Sequence, residues 1–136
     1  MYKSEAAFSR ALRAAIKKDS MNVTAIETGS TSQGVPDLYI TGCKTGDCWL
    51  ELKNTYKDLT NIEKFKVEWR PGQQAWHIRY FKAMGHKCVW TAVAHKKGIA
   101  LIRMVMHYKD NMVTYKQVPF WFKTVSQLSY FIKTML

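Results

Sequence analysis

Between Ser4 and Lys18 the apolar residues Phe8, Leu12, Ala15 and Ile16 recur at helical spacing, with Arg10, Arg13, Lys17 and Lys18 around the rest of the turn. Ser4 suits an N-cap, and the closing lysines oppose the helix dipole. The period then changes. Val23 to Gly29 reads as a short strand, Ser30 to Gly34 as a loop, Asp37 to Ile40 as a second strand and Cys48 to Lys53 as a third. Turn formers between Thr41 and Asp47 join the last two into a β-hairpin. From Asn54 to Arg70 the chain is polar and poorly periodic, and reads as a loop or long excursion. Pro71 then opens a helix with Trp76, Tyr80, Phe81 and Met84 at helical spacing, closed by Gly85. "KCVWTAVA" and "GIALIRMVM" read as strands on either side of His95 to Gly98, and "MVTYKQV" as another. "TVSQLSYFIKTM" closes the chain as a helix with Val125, Leu128, Phe131, Ile132 and Met135 on one side. The order αβββαβββα predicts an α/β fold, a mixed central β-sheet flanked by helices, in a single domain over 1–136.

Composition narrows the class. A chain of 136 residues, 47% hydrophobic and 23% charged, can bury a real core. No run approaches the roughly 18 apolar residues of a membrane span. The first helix carries an acid and several bases, unlike a signal peptide, so a soluble cytoplasmic protein is expected. Cys43, Cys48 and Cys88 make an odd number without CxxC spacing, which favours free thiols over zinc or disulfides. His86 and His95 show no metal-ligand spacing either. The aromatics of "VPFWF" (Val118 to Phe122) read as core, or, if exposed, as a dimer or stacking surface.

The net charge of +11 changes the picture most. So large a positive field on so small a domain points to a polyanion, and makes a small neutral metabolite a poor principal ligand. Arg10, Arg13, Lys17, Lys64, Lys66, Arg70, Lys96 and Lys97 are candidate phosphate contacts.

The hairpin carries the chemistry. In an antiparallel pair the start of one strand lies beside the end of the next, so Glu51 returns to Asp37 from fourteen positions on. Side chains alternate, which puts Glu51 and Lys53 on one face and Leu52 on the other, into the core. Two carboxylates and an ammonium thus meet at one end of the sheet. The acids suit a hard cation such as Mg²⁺, and the lysine suits charge developing on an attacked phosphate. Glu5, three residues before Phe8, sits on or beside the apolar stripe; spacing leaves open whether the site or the helix dipole uses it.

"GVPDLYI … CWLELK … RPGQQAWHIRYFKAMG" resembles the PD-(D/E)xK nuclease superfamily, and within it the VRR-NUC group and the archaeal-type Holliday junction resolvases. The resemblance spans roughly Ser4 to Arg103. It implies Asp37, Glu51 and the Leu52 carbonyl as metal ligands, Lys53 as the catalytic lysine, and Glu5 as a helix-borne acid near the metal. It implies Gln73 as the glutamine that reaches the site, with Gln74 its adjacent rival. It also implies hydrolysis of DNA phosphodiesters with Mg²⁺ (Mn²⁺ substituting), branched or junction DNA as substrate, a homodimer, and a setting in phage or mobile-element DNA metabolism, hence a bacterial host cytoplasm. The stretch from Asn54 to Arg70 is longer than the resemblance implies there. Glu27 is a fallback ligand; Glu63 and Glu68 read as solvated loop charges.

Two other readings stay open. Asp37, Glu51 and Lys53 could be turn and edge-strand charges on a non-catalytic nucleic-acid-binding module, since exposed pairs contribute only about 0–1 kcal/mol. A nuclease acting on single-stranded DNA or on RNA would show the same residues.

Overall fold

The computed structural model describes residues 2–26, 34–68, 72–84, 89–103, 112–114 and 117–136, without the side chains of Phe81, Met84 and Thr114. Glu27, Ser30, Arg70, Pro71, Gly85, His86 and Cys88 lie outside the described residues. Helix α1 spans Glu5–Lys18, β1 Asn22–Ala25, β2 Leu38–Cys43 and β3 Gly46–Asn54. A 3₁₀ turn at Leu59–Asn61 and β4 at Lys64–Lys66 follow, then α2 at Gln73–Met84. Strands β5 (Val89–His95), β6 (Gly98–Arg103), β7 (Met112–Thr114) and β8 (Phe120–Phe122) lead to α3 at Val125–Met135.

Local chemistry explains the helix starts. The Ser4 hydroxyl accepts from the Ala7 N–H at 3.1 Å, and the Thr124 hydroxyl accepts from Gln127 N–H at 3.2 Å, so both N-caps are filled. Helix α1 turns Phe8, Leu12 and Ile16 inward, all fully buried. On α3 the buried positions are Leu128, Ser129 and Ile132. Met135, expected on the apolar side, is 59% exposed, while the next residue, Leu136, is buried in the main core.

Six strands form the main sheet in the order β1-β2-β3-β5-β6-β8. Only β3 and β5 run parallel, from Trp49↔Val89 to Asn54↔Ala94; a parallel pair needs a crossover, and α2 is part of it. All other neighbours are antiparallel. This is the mixed sheet flanked by helices that the pattern predicts; among the described residues the chain has two strands beyond the six expected, β4 and β8, and only β8 joins this sheet. β8 lies in the aromatic stretch: Phe120 and Phe122 pack on Phe131 of α3, while Trp121 faces His95 on the other side.

β4 corrects the reading of 54–70 as a plain excursion. It pairs with β7 in a separate two-stranded sheet, Lys64↔Thr114 to Lys66↔Met112. β7, from "MVTYKQV", therefore does not join the central sheet. Leu59, Phe65, Val67, Val93, Ala100, Ile102, Val113 and Val118 make a second apolar cluster. The main core, against α1 and α3, contains Leu38, Ile40, Leu50, Leu52, Ala92 and Leu101. The sheet is thus covered on both faces. Glu51, Lys53 and Thr91 alternate with the main-core residues and so face the side that meets α2 and the second cluster.

Candidate active site

β3 is an interior strand, third of six, so Glu51 and Lys53 are not an edge-strand pair. Glu51 is fully buried, and Lys53 keeps 12% of its side chain exposed. Their register follows from the hairpin: Leu38 pairs with Leu50, and one step beyond, Asp37 stands across from Glu51. The Leu52 N–H donates to Asp37 Oδ2 at 2.8 Å. A strand residue's N–H and C=O point to the same side, so the Leu52 carbonyl also looks toward Asp37. Leu52's own side chain goes into the main core.

Gln73, the first residue of α2, ties the pair together. Its amide Nε2 donates to Glu51 Oε2 at 2.7 Å, and its Oε1 accepts from the Lys53 ammonium at 3.2 Å. Lys53 Nζ in turn lies 3.2 Å from Glu51 Oε2. Gln73 makes these contacts from a buried position, while Gln74 is half-buried. The start of α2 is set by glycines on both sides of the site. Gly34 holds φ +88°, and a Cβ there would lie 2.2 Å from the Gly72 carbonyl oxygen. That same carbonyl accepts from Trp76 N–H at 2.9 Å in the first turn of α2. The backbone before Pro36-Asp37 therefore rests directly on the backbone before Gln73.

Burial, and then the charge of Asp37, push the Glu51 carboxyl up to about 7, against the pull of Lys53 and Gln73. Its second oxygen, Oε1, is buried without a hydrogen-bond partner. Two acids held close, one of them with an unsatisfied buried oxygen, form an anionic site that a cation would neutralise. The donors on offer are all oxygens: two carboxylates and the Leu52 carbonyl, the set a hard divalent ion prefers. Among the described residues no cluster of three or more His, Cys, Asp or Glu exists, so a cation here would complete its shell with water or phosphate oxygens. Asp37, Glu51 and Leu52 fit such an ion.

Glu5 opens α1, exposed, on the wall of a cavity of about 260 Å³ that it shares with Lys53, Lys57, Phe65, Lys66 and Glu68. The N-terminus reaches this place because Asn54 Nδ2 donates to the Tyr2 carbonyl at 3.0 Å and Tyr56 OH to the Lys3 carbonyl at 3.0 Å. Of the expected basic contacts, Lys66 lines the cavity, and Lys64 is exposed on the same strand. The exposed Lys96 and Lys97 sit in the β5–β6 turn, where Lys96 N–H donates to the Lys57 carbonyl at 3.1 Å. Arg10 and Lys17 are exposed along α1, and Arg13 Nε donates to Ser9. Glu63 and Glu68 are exposed, as expected.

Sequence reading passed over His77. It lies one turn beyond Gln73 on α2, 1% exposed, with neither ring nitrogen hydrogen-bonded. Burial first, and the Lys53 charge second, hold its imidazole down at about 4. The available signal was the i, i+4 spacing from Gln73. His95, by contrast, is structural: its Nδ1 accepts from the N–H of Leu59 at 3.4 Å and of Lys97 at 3.3 Å. Cys43 and Cys48 are free, buried thiols.

Fold and register together place the chain in the restriction-endonuclease-like fold class, the fold of the PD-(D/E)xK nucleases. Its structure matches that of the Holliday junction resolvase Hjc from the archaeal hyperthermophile Archaeoglobus fulgidus with a TM-score of 0.62, covering 90% of this chain and 97% of that one. The two sequences are 10% identical, so the likeness is one of fold. No protein-family model matches the sequence, and no curated protein matches it. Among the described residues no helix is long and apolar enough to cross a membrane.

Proposed function

We propose that this chain is a divalent-cation-dependent endonuclease that hydrolyses DNA phosphodiesters, with four-way junctions or other branched DNA as its substrate. One observation carries the reading. A buried Glu51, tied to Lys53 and Gln73, stands beside Asp37 on an interior strand of the central sheet. The fold is one that a Holliday junction resolvase also has.

Asp37, Glu51 and the Leu52 carbonyl would hold the cation, Mg²⁺ first and Mn²⁺ as its substitute. When bound, it supplies Lewis acidity at the phosphate. Lys53 holds a fixed positive charge where negative charge grows on the attacked phosphate, and its preorganised position is what makes that charge effective. Gln73 engages both members of the Lys53–Glu51 pair and so fixes how the pair is oriented. Glu5 orients water arriving from the solvent side of the cavity. Lys57, Lys64 and Lys66 near the cavity, Lys96 and Lys97 in the turn, and Arg10, Arg13 and Lys17 on α1 contact phosphates and give binding that falls steeply with salt. A homodimer would place two sites on opposed strands of a two-fold junction. Phage or mobile-element DNA in a bacterial host cytoplasm is the setting that suits such a nuclease.

The test is cleavage of a labelled four-way junction and a matched linear duplex, with Mg²⁺ or EDTA, by wild type and Lys53→Ala. The expected result is junction cutting by the wild type with Mg²⁺ alone, with the duplex spared. Equal cutting of both DNAs reduces the reading to a general nuclease. Tight binding without Lys53-dependent cutting replaces it with a non-catalytic binding module.

A further inference from the structure

Behind Glu51 lies a second buried polar layer that the reading above does not use. Thr91 is the Cα partner of Glu51 across the parallel β3–β5 pair, so the two side chains stand side by side on one face of the sheet. Both are fully buried. His77 comes from α2, one turn after Gln73, on the helix face that Gln73 presses onto Glu51. Trp76 beside it meets Trp49 of β3 edge-on at 5.2 Å, which lays this turn of α2 over the stretch of β3 just before Glu51. Thr91 Oγ1, His77 Nδ1, His77 Nε2 and Glu51 Oε1 are all buried without a hydrogen-bond partner.

Buried polar groups are almost always paired, because each unpaired one costs about 1–3 kcal/mol. Here the donors and acceptors balance. A neutral imidazole has one N–H to give and one lone pair to receive, threonine has one O–H to give, and a carboxylate oxygen only receives. His77 is held neutral by its burial. The order that satisfies all four atoms runs, through a bridging water at each step, from the Thr91 hydroxyl to one His77 nitrogen, and from the other nitrogen to Glu51 Oε1.

We propose that Thr91 and His77 are positioning residues for the Glu51 carboxylate, forming a hydrogen-bonded chain with one water between members that locks Glu51 for cation binding. Gln73 and Lys53 hold one carboxylate oxygen, and this chain holds the other. The inference rests on the cation site proposed for Asp37 and Glu51. Outer partners of metal ligands act in this way, and their loss weakens metal affinity by about 10–100-fold.

The test titrates Mn²⁺ alone into the DNA-free chain by calorimetry, with the fold of each variant checked by its circular-dichroism melting curve. Wild type is expected to bind one Mn²⁺, and Asp37→Asn to lose it. His77→Leu is expected to weaken binding about 10–100-fold, and His77→Gln, which keeps an N–H donor, to restore most of it. Thr91→Val, nearly the same shape, is expected to weaken binding by a smaller factor. If His77→Leu and Thr91→Val bind Mn²⁺ as wild type does while Asp37→Asn does not, the positioning chain is overturned and the cation site stands. If wild type and Asp37→Asn behave alike, the cation site itself fails. If His77→Leu melts before it can be titrated, Thr91→Val decides: wild-type affinity there overturns the chain.

Discussion

Gln73 donates to Glu51 across twenty-two positions of sequence, at 2.7 Å and out of contact with solvent. One side chain at the start of a helix thereby fixes a carboxylate in the middle of a sheet. The same amide reaches Lys53, so the acid and the base of the hairpin are oriented by a residue from neither of its strands.

Replacing Gln73 with Leu should expose the strength of this arrangement. Glu51 and Lys53 would keep each other but each lose its bond to the Gln73 amide, and removing a hydrogen bond from a buried charged group costs about 1–3 kcal/mol. Urea unfolding should show that loss, and Mg²⁺-dependent cleavage should fall as well. Gln73→Glu should do worse on both measures, because it places a third carboxylate against Glu51. Unchanged stability in both variants would show that the contact carries no energy.

The Glu51 shift makes stability depend on pH in the direction opposite to an ordinary salt-bridged acid. Its folded value, about 7, lies above its ordinary 4.5, so the native state holds the proton more tightly than the unfolded chain. Stability of the metal-free protein should therefore fall as pH rises from about 4.5 to 7 and level off above, by on the order of 3 kcal/mol from this group. Glu51→Gln should remove that slope. Chemical denaturation in EDTA across the range, wild type against variant, measures it. Parallel curves would refute the assignment.

Much of this arrangement is legible in the sequence, for reasons that also mark where legibility ends. The α1 stripe of Phe8, Leu12 and Ile16 and the Glu51–Lys53 alternation are local periodicities, and a period survives without knowledge of the rest of the chain. Ser4, the hairpin and the helix bearing Gln73 follow from short-range chemistry. β4 does not, because three residues with a single buried Phe65 carry no pattern, and their partner β7 lies some fifty positions away. Short non-local pairing is written in tertiary contacts alone. His77 was hidden for a related reason. A histidine on a helix says nothing until that helix is seen to pack on the strand that bears Glu51.

Gly34 should tolerate no side chain. Its φ of +88° strains any L-residue, and a Cβ would sit 2.2 Å from the Gly72 carbonyl oxygen. Both partners are backbone, so relief requires moving either the segment that leads to Asp37 or the first turn of α2. Gly34→Ala should cost about 1–3 kcal/mol, read from its melting temperature. It should also lower cleavage beyond what that loss of stability explains, since Asp37 and Gln73 would no longer meet Glu51 together. Equal activity per folded molecule would separate the glycine from the site.

The cavity wall offers a prediction about binding without chemistry. Lys57 and Lys66 line the cavity beside Lys53, and the Lys66–Glu68 pair, at 3.6 Å with both side chains more than half exposed, is too solvated to neutralise Lys66. Both ammonium groups are thus available to DNA phosphates. Each phosphate contact contributes about 0.9 to the slope of log affinity against log salt. The double variant Lys57→Ala, Lys66→Ala should flatten that slope by about 2 for junction DNA. The Mn²⁺ affinity of the DNA-free protein should not change, because neither lysine touches Asp37, Glu51 or Leu52. A slope equal to the wild type's would place the DNA path elsewhere, with the basic face of α1 as the next surface to test.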